Sequence, residues 1–143
     1  MKKTNQKLLS LLLVLVLALG LAACSQKAKA PEGIWKDALY TADTTLGRGE
    51  TTLTAVVEIE DKSVTFTVKT DKENVAEALM EHNLVSGEEG PYGLYIKKVN
   101  GITADYDVDG HYWAFYEGEN YALQGAELTK IDPAVTYRFV YAK

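Results

Sequence analysis

The segment Asp105-Tyr106-Asp107-Val108-Asp109-Gly110 sets three carboxylates at alternate positions ahead of a glycine. Calcium loops gather oxygen ligands around a hard cation with this spacing. The twelfth position, where such a loop needs a bidentate carboxylate, is Tyr116, and Glu117 comes one place late. The flanks read as strands, so an EF-hand is excluded. Asp105, Asp107 and Asp109 stay as candidates for a weak calcium site only, against the plainer reading that Asp and Gly build a β-turn there. A second constellation is aromatic: Tyr92, Tyr95, Tyr112, Trp113, Tyr116 and Tyr121 fall within thirty residues of one another. Such rings give large contact area at low entropic cost, and a phenol can donate to or accept from a ligand's polar rim, so these six are the candidate ligand platform. Against that stands the core, which must claim part of the set. Trp113 and Phe115 are expected inside, with Tyr112 and Tyr116 on the reachable face.

Other chemistry is thinly supplied. His82 and His111 are isolated, without a partner at zinc-site spacing. Ser25, Ser63 and Ser86 have no nucleophile-elbow context, and no glycine-rich phosphate loop is present. The expectation is a protein that is not an enzyme and carries no cofactor. With Cys24 as the one cysteine, neither an internal disulfide nor a Cys-based metal cluster can form.

The elements that must hold the platform follow from patterning. The chain has 143 residues, 47% hydrophobic and 24% charged, enough for one compact domain. Setting aside Lys2, Lys3 and Lys7 leaves 12 basic against 20 acidic residues, a balance of −8 that disfavours nucleic acid. Ile34 to Tyr40 is a short apolar segment around Trp35, and Thr41 to Glu50 reads as loop. Leu53, Ala55, Val57 and Ile59 alternate, and Val64, Phe66 and Val68 resume the alternation after Asp61-Lys62, which predicts a β-hairpin with one dry face. Thr70-Asp71-Lys72-Glu73 has capping-box spacing and predicts a helix from about Lys72 to His82, ended by Asn83. Val85 to Pro91 reads as an acidic loop. Leu94 to Val99 and Ile102 to Tyr106 are strands joined at Asn100-Gly101, a strong hairpin signal. After a turn at 107–110, His111 to Glu117 is a strand with two apolar faces, and Val135, Tyr137, Phe139 and Tyr141 alternate in the last strand. The class is α+β: one helix packed on a mainly antiparallel sheet.

The N-terminus has its own logic. A basic head, Met1 to Lys7, precedes an apolar run from Leu8 to Ala23, the pattern of a secretory signal peptide. The run is shorter than the roughly 20 apolar residues that span a bilayer. Leu21-Ala22-Ala23-Cys24 resembles the lipobox of bacterial lipoproteins. That resemblance implies cleavage before Cys24, acylation of its thiol and a lipid-anchored protein outside the cytoplasm, away from nucleotide cofactors. Two or three acyl chains anchor stably where one does not. Residues 24–33 then form a lipidated tether and 34–143 the domain.

Over about residues 51–141, Tyr92-Gly93-Leu94-Tyr95-Ile96, Val99-Asn100-Gly101-Ile102 and Tyr112-Trp113-Ala114-Phe115-Tyr116, followed by Gly118 and Gly125, resemble the transcobalamin C-terminal-like domain family. The resemblance implies a small β-rich domain, with the β-grasp among its forms, that folds over one face of a corrin ring. It implies cobalamin or another flat amphipathic ligand, with a transporter or receptor as further partner. The chain departs from the cobalamin carriers in having no room for their helical-barrel domain, and it has Glu117-Gly118-Glu119 where many relatives have an Asn-Gly turn. One domain covers one face of a disc, so binding by the isolated chain is expected to be weak. The rival expectation is a protein-interaction or envelope-assembly module, for which the same aromatic strands serve as an interface.

Overall fold

The computed structural model describes residues 30–143; the expected signal peptide, the expected lipidation site Cys24 and the expected tether up to residue 29 lie outside the described residues. Residues Pro31–Lys143 form one compact unit. Among the described residues nine strands run in chain order: β1 Thr44–Gly47, β2 Thr51–Ile59, β3 Lys62–Thr70, β4 Val85–Gly90, β5 Gly93–Val99, β6 Ile102–Thr103, β7 Tyr112–Glu117, β8 Asn120–Tyr121 and β9 Thr136–Ala142. Helix α1 spans Val75–Met80 and a single turn, α2, spans Tyr106–Asp109. Short 3-10 turns at Gly33–Asp37 and Ala126–Leu128 complete the set.

The larger sheet has six strands in the order β1-β3-β2-β9-β7-β8, and β4-β5-β6 form a separate sheet. Five of the seven pairings are antiparallel; β1 with β3 and β2 with β9 are parallel. The expected α+β class with a mainly antiparallel sheet is what the chain adopts. Its four central strands, β3-β2-β9-β7 with the parallel pair in the middle, are ordered as in a β-grasp.

The hairpin forms as its alternation dictates. Leu53, Ala55, Val57, Ile59, Val64, Phe66 and Val68 are buried on one face, while Thr54, Val56, Thr65 and Thr67 stay half-exposed on the other. Tyr137 and Phe139 of β9 continue that dry face, and Val75, Ala78 and Leu79 of α1 pack into the same core.

Four expectations need correction. Thr70 does not cap the helix: it ends β3, and its hydroxyl accepts from the Lys72 N–H at 3.0 Å. The cap is Asn74, whose Oδ1 accepts from the Glu77 N–H at 2.9 Å, so the helix starts three residues later and is one and a half turns long. Asn83 does end this segment, at φ +56. The acidic stretch 85–90 is not loop but strand β4, exposed except for Val85, because pairing with β5 fixes its backbone whatever its side chains. Residues 44–47, also read as loop, form an edge strand through parallel bonds to β3. The strand beginning at Ile102 lasts two residues, because Asp105 then caps α2: its carboxylate accepts from the Asp107 N–H, and Gly110 closes the turn at φ +72.

The hairpin at Asn100-Gly101 forms with both residues at positive φ, +50 and +80, as its turn type requires. Asn100 is fully buried and fully bonded. Its Nδ2 donates to the Tyr40 carbonyl at 2.8 Å and its Oδ1 accepts from the Tyr40 N–H at 3.0 Å. Its backbone N–H donates to Leu84 O, and its carbonyl accepts from the Leu39 N–H. One side chain thus ties the N-terminal segment to the hairpin that supports the site.

Candidate functional site

The aromatic candidates are positioned by β5, β7 and β8. In β7, Trp113 and Phe115 sit opposite Tyr141 and Phe139 of β9, which puts them on the core face; Tyr112 and Tyr116 point the other way, opposite Ala142 and Arg138. Trp113 is 7% exposed, and its Nε1 donates to the Ile102 carbonyl at 3.1 Å, so the indole is pinned to the far hairpin. Phe115 stacks on Phe139 at 5.0 Å but is only half-buried, contrary to its expected place wholly inside. β8 pairs with the last two residues of β7 and the Ala122 N–H donates to the Phe115 carbonyl at 3.0 Å, so β8 leaves the edge of β7 open before Phe115.

That open edge is one wall of a groove of about 480 Å³. Tyr92, Leu94, Tyr95 and Ile96 line it from β5 and the turn before it, and Tyr112, Trp113 and Phe115 from β7. Tyr121, Ala122 and Leu123 close the third side. The structure therefore brings five of the six expected platform residues to one depression. Tyr116 falls outside the lining but meets Tyr121 edge-on at 5.2 Å. Exposure grades from rim to floor: Tyr92 is 97% exposed, Tyr121 59%, Tyr95 41%, and Trp113 is the floor. Burial pushes the Tyr121 hydroxyl's pKa up, aided by the neighbouring Tyr112 and Tyr116, so it remains a neutral donor.

Flanking charges are committed. Lys97 Nζ bonds Glu88 at 3.0 Å and Asp105 at 3.2 Å, which raises its pKa, Glu88 contributing most, and it lies 5.7 Å from the Tyr95 ring centroid. Arg138 binds both oxygens of Glu58, at 2.9 and 2.8 Å, and lies over the Tyr116 ring at 5.2 Å. Sequence reasoning missed Glu127. Its Oε1 accepts from the Leu94 N–H at 2.8 Å, 33 residues away, latching β5 to the 3-10 turn Ala126–Leu128 that follows the third wall. A lone carboxylate in a polar turn gave no signal of this.

The three aspartates do not converge. Asp105 caps α2 and binds Lys97, and Asp109 Oδ1 accepts from the His111 N–H at 2.9 Å. Among the described residues no group of three or more His, Cys, Asp or Glu side chains is placed to hold a metal ion. His82 lies beside Glu81, 4.0 Å away, and His111 stacks on Tyr141 at 4.8 Å.

No family model matches the sequence, and no curated protein matches it. Among solved structures, haptocorrin in complex with Cbi superposes with a TM-score of 0.47 at 17% identity, over 68% of this chain and 27% of haptocorrin. A "putative metal binding protein" from Ruminococcus gnavus superposes with a TM-score of 0.61 at 29% identity, over 66% of this chain and 98% of that one. Across two-thirds of its length, then, this chain is similar in fold to the Ruminococcus gnavus protein.

Proposed function

We propose that the chain is a binding protein, not an enzyme, whose aromatic groove docks a flat amphipathic ligand of the corrinoid kind. The observation that carries this reading is the convergence of Tyr92, Tyr95, Tyr112, Trp113 and Tyr121 on one depression, reached from three separate elements. The graded burial suits such a ligand: a fixed indole floor takes an apolar face, while exposed phenols at the rim reach polar substituents. The groove is open on one side, so the isolated chain holds its ligand weakly, and a receptor or transporter subunit would complete the enclosure. The leader and Cys24 support placement outside the cytoplasm on a lipid anchor. Changing Cys24→Ser then moves the protein from the membrane fraction to the soluble one.

Titration with cyanocobalamin, followed by tryptophan fluorescence, tests the ligand class. Binding in the micromolar to millimolar range, weakened by Tyr121→Ala, is expected. Absence of binding up to about 1 mM, an affinity of only ~4 kcal/mol, removes the corrinoid reading for the isolated domain. The nearly bare Tyr92 and fully exposed Leu123 at the rim favour the second reading, a protein partner seated on the same surface.

A further inference from the structure

The proposed groove reading leaves the ligand's charge open, and the surroundings of the groove bear on it. No charged side chain lines the depression. Rings of this aromatic cluster already receive cations on their faces: Lys97 lies over Tyr95 and Arg138 over Tyr116. Both cations are neutralised from behind, Lys97 by Glu88 and Asp105, and Arg138 by Glu58 with Glu119 at 3.4 Å. They therefore leave no positive field to repel a third cation. Beneath the end of the groove formed by Leu94 and Gly125 lies Glu127. One of its oxygens is spent on the Leu94 N–H, whereas Oε2 is buried and has no hydrogen-bond partner. That oxygen lies close against Gly125, 2.8 Å from where a Cβ on that residue would stand, which places the carboxylate beside a residue lining the groove. From Pro31 onward 10 basic residues face 20 acidic ones, which adds attraction at long range.

Resting on the proposed groove reading, we infer that the groove selects an organic cation: a quaternary or protonated amine carried on an apolar body. The ring faces of Tyr95, Tyr112, Tyr121 and Trp113 supply attraction through their quadrupoles. The Glu127 carboxylate supplies the compensating negative charge from below, without a solvent-exposed ion pair that water would screen. A neutral ligand of the same shape gains the contact area but neither of these contributions, and an anion is repelled.

Choline and its neutral carbon isostere 3,3-dimethylbutan-1-ol differ in charge alone and are the probes. Binding to the full chain is read from the indole N–H resonance of Trp113 in NMR titrations. Choline is expected to bind about tenfold more tightly than the alcohol. Glu127→Gln keeps an acceptor for the Leu94 N–H and is expected to shrink that ratio at least threefold with the melting temperature unchanged. Tyr121→Ala, at an exposed position, is expected to weaken both probes. Equal affinity for the two probes, or no choline shift up to about 10 mM, overturns the inference about charge while cyanocobalamin titration judges the groove separately. An undiminished ratio in Glu127→Gln overturns the assignment of the counter-charge.

Discussion

Asn100 offers a quantitative test of the scaffold under the groove. Changing it to glycine retains a residue that accepts φ +50 but deletes the amide and both of its bonds to Tyr40. Glycine's extra freedom in the unfolded chain and its ease at positive φ roughly offset each other. Each lost hydrogen bond is worth ~1 kcal/mol net, and each backbone group left dry costs ~1–3 kcal/mol. Tyr40 is half-buried, so water partly restores its N–H and carbonyl, which sets the loss for Asn100→Gly near ~2 kcal/mol. Alanine loses the same bonds and adds the strain of a Cβ in the left-handed region, ~1 kcal/mol more. For a domain of this size ~1 kcal/mol moves Tm by about 4 °C, so the two variants fall by about 8 and 12 °C. Urea and thermal unfolding followed by circular dichroism measure this directly. Because the same hairpin supplies the Ile102 carbonyl that holds Trp113, both variants are also expected to weaken the binding proposed for the groove. The reasoning is refuted if Asn100→Gly lies within about 0.5 kcal/mol of the parent, the scatter of ordinary surface changes, or if alanine is the better tolerated of the two.

Four further outcomes are expected. Gly101→Ala sets a Cβ 2.6 Å from the Asp37 carbonyl at φ +80 and destabilises by ~2 kcal/mol or more, read by the same unfolding assay. Burial pushes the Tyr137 hydroxyl's pKa up, as it does those of Tyr121 and Tyr141. A folded pKa above the unfolded one means that the stabilisation is complete below about pH 10 and is lost as pH climbs past it. Stability therefore drops on the alkaline side, and Tyr137→Phe flattens that limb while costing ~1–2 kcal/mol at neutral pH, since the phenol bridges Lys130 O and Asp132 N. Glu127→Ala frees the Leu94 N–H and loosens the groove wall, with faster amide exchange at Leu94 as the readout. Calcium leaves the melting temperature unchanged, because the Asp105 and Asp109 oxygens already cap α2 and bind Lys97 and the His111 N–H; a rise with added calcium contradicts this.

What the sequence made legible is what period and turn chemistry encode. Alternation from Leu53 to Val68 gave the hairpin and its dry face, and Asn100-Gly101 gave the second hairpin, since both signals are local. The edge strands at 44–47 and 85–90 were hidden because backbone pairing makes most of them, with a single apolar side chain in each, Leu46 and Val85, reaching the core and so no alternation to read. The helix start was misplaced because Thr70 and Asn74 both offer caps four residues apart, and strand β3 claims the first. At the site, composition pointed to the aromatic residues, and the structure gathers four of the tyrosines with Trp113. Glu127 was out of reach, since nothing local reports a bond formed across 33 residues.

Strand β9, which follows all its sheet neighbours in sequence, occupies an interior place in the large sheet, between β2 and β7. A chain delivered from its N-terminus, by ribosome or by translocon, presents the β2–β3 hairpin long before the strip that joins it to β7. Until residues 136–142 emerge, β1-β3-β2 and β7-β8 have no shared ladder. Closure of the large sheet therefore waits for β9, and loss of these seven residues separates β1-β3-β2 from β7-β8 instead of trimming a margin.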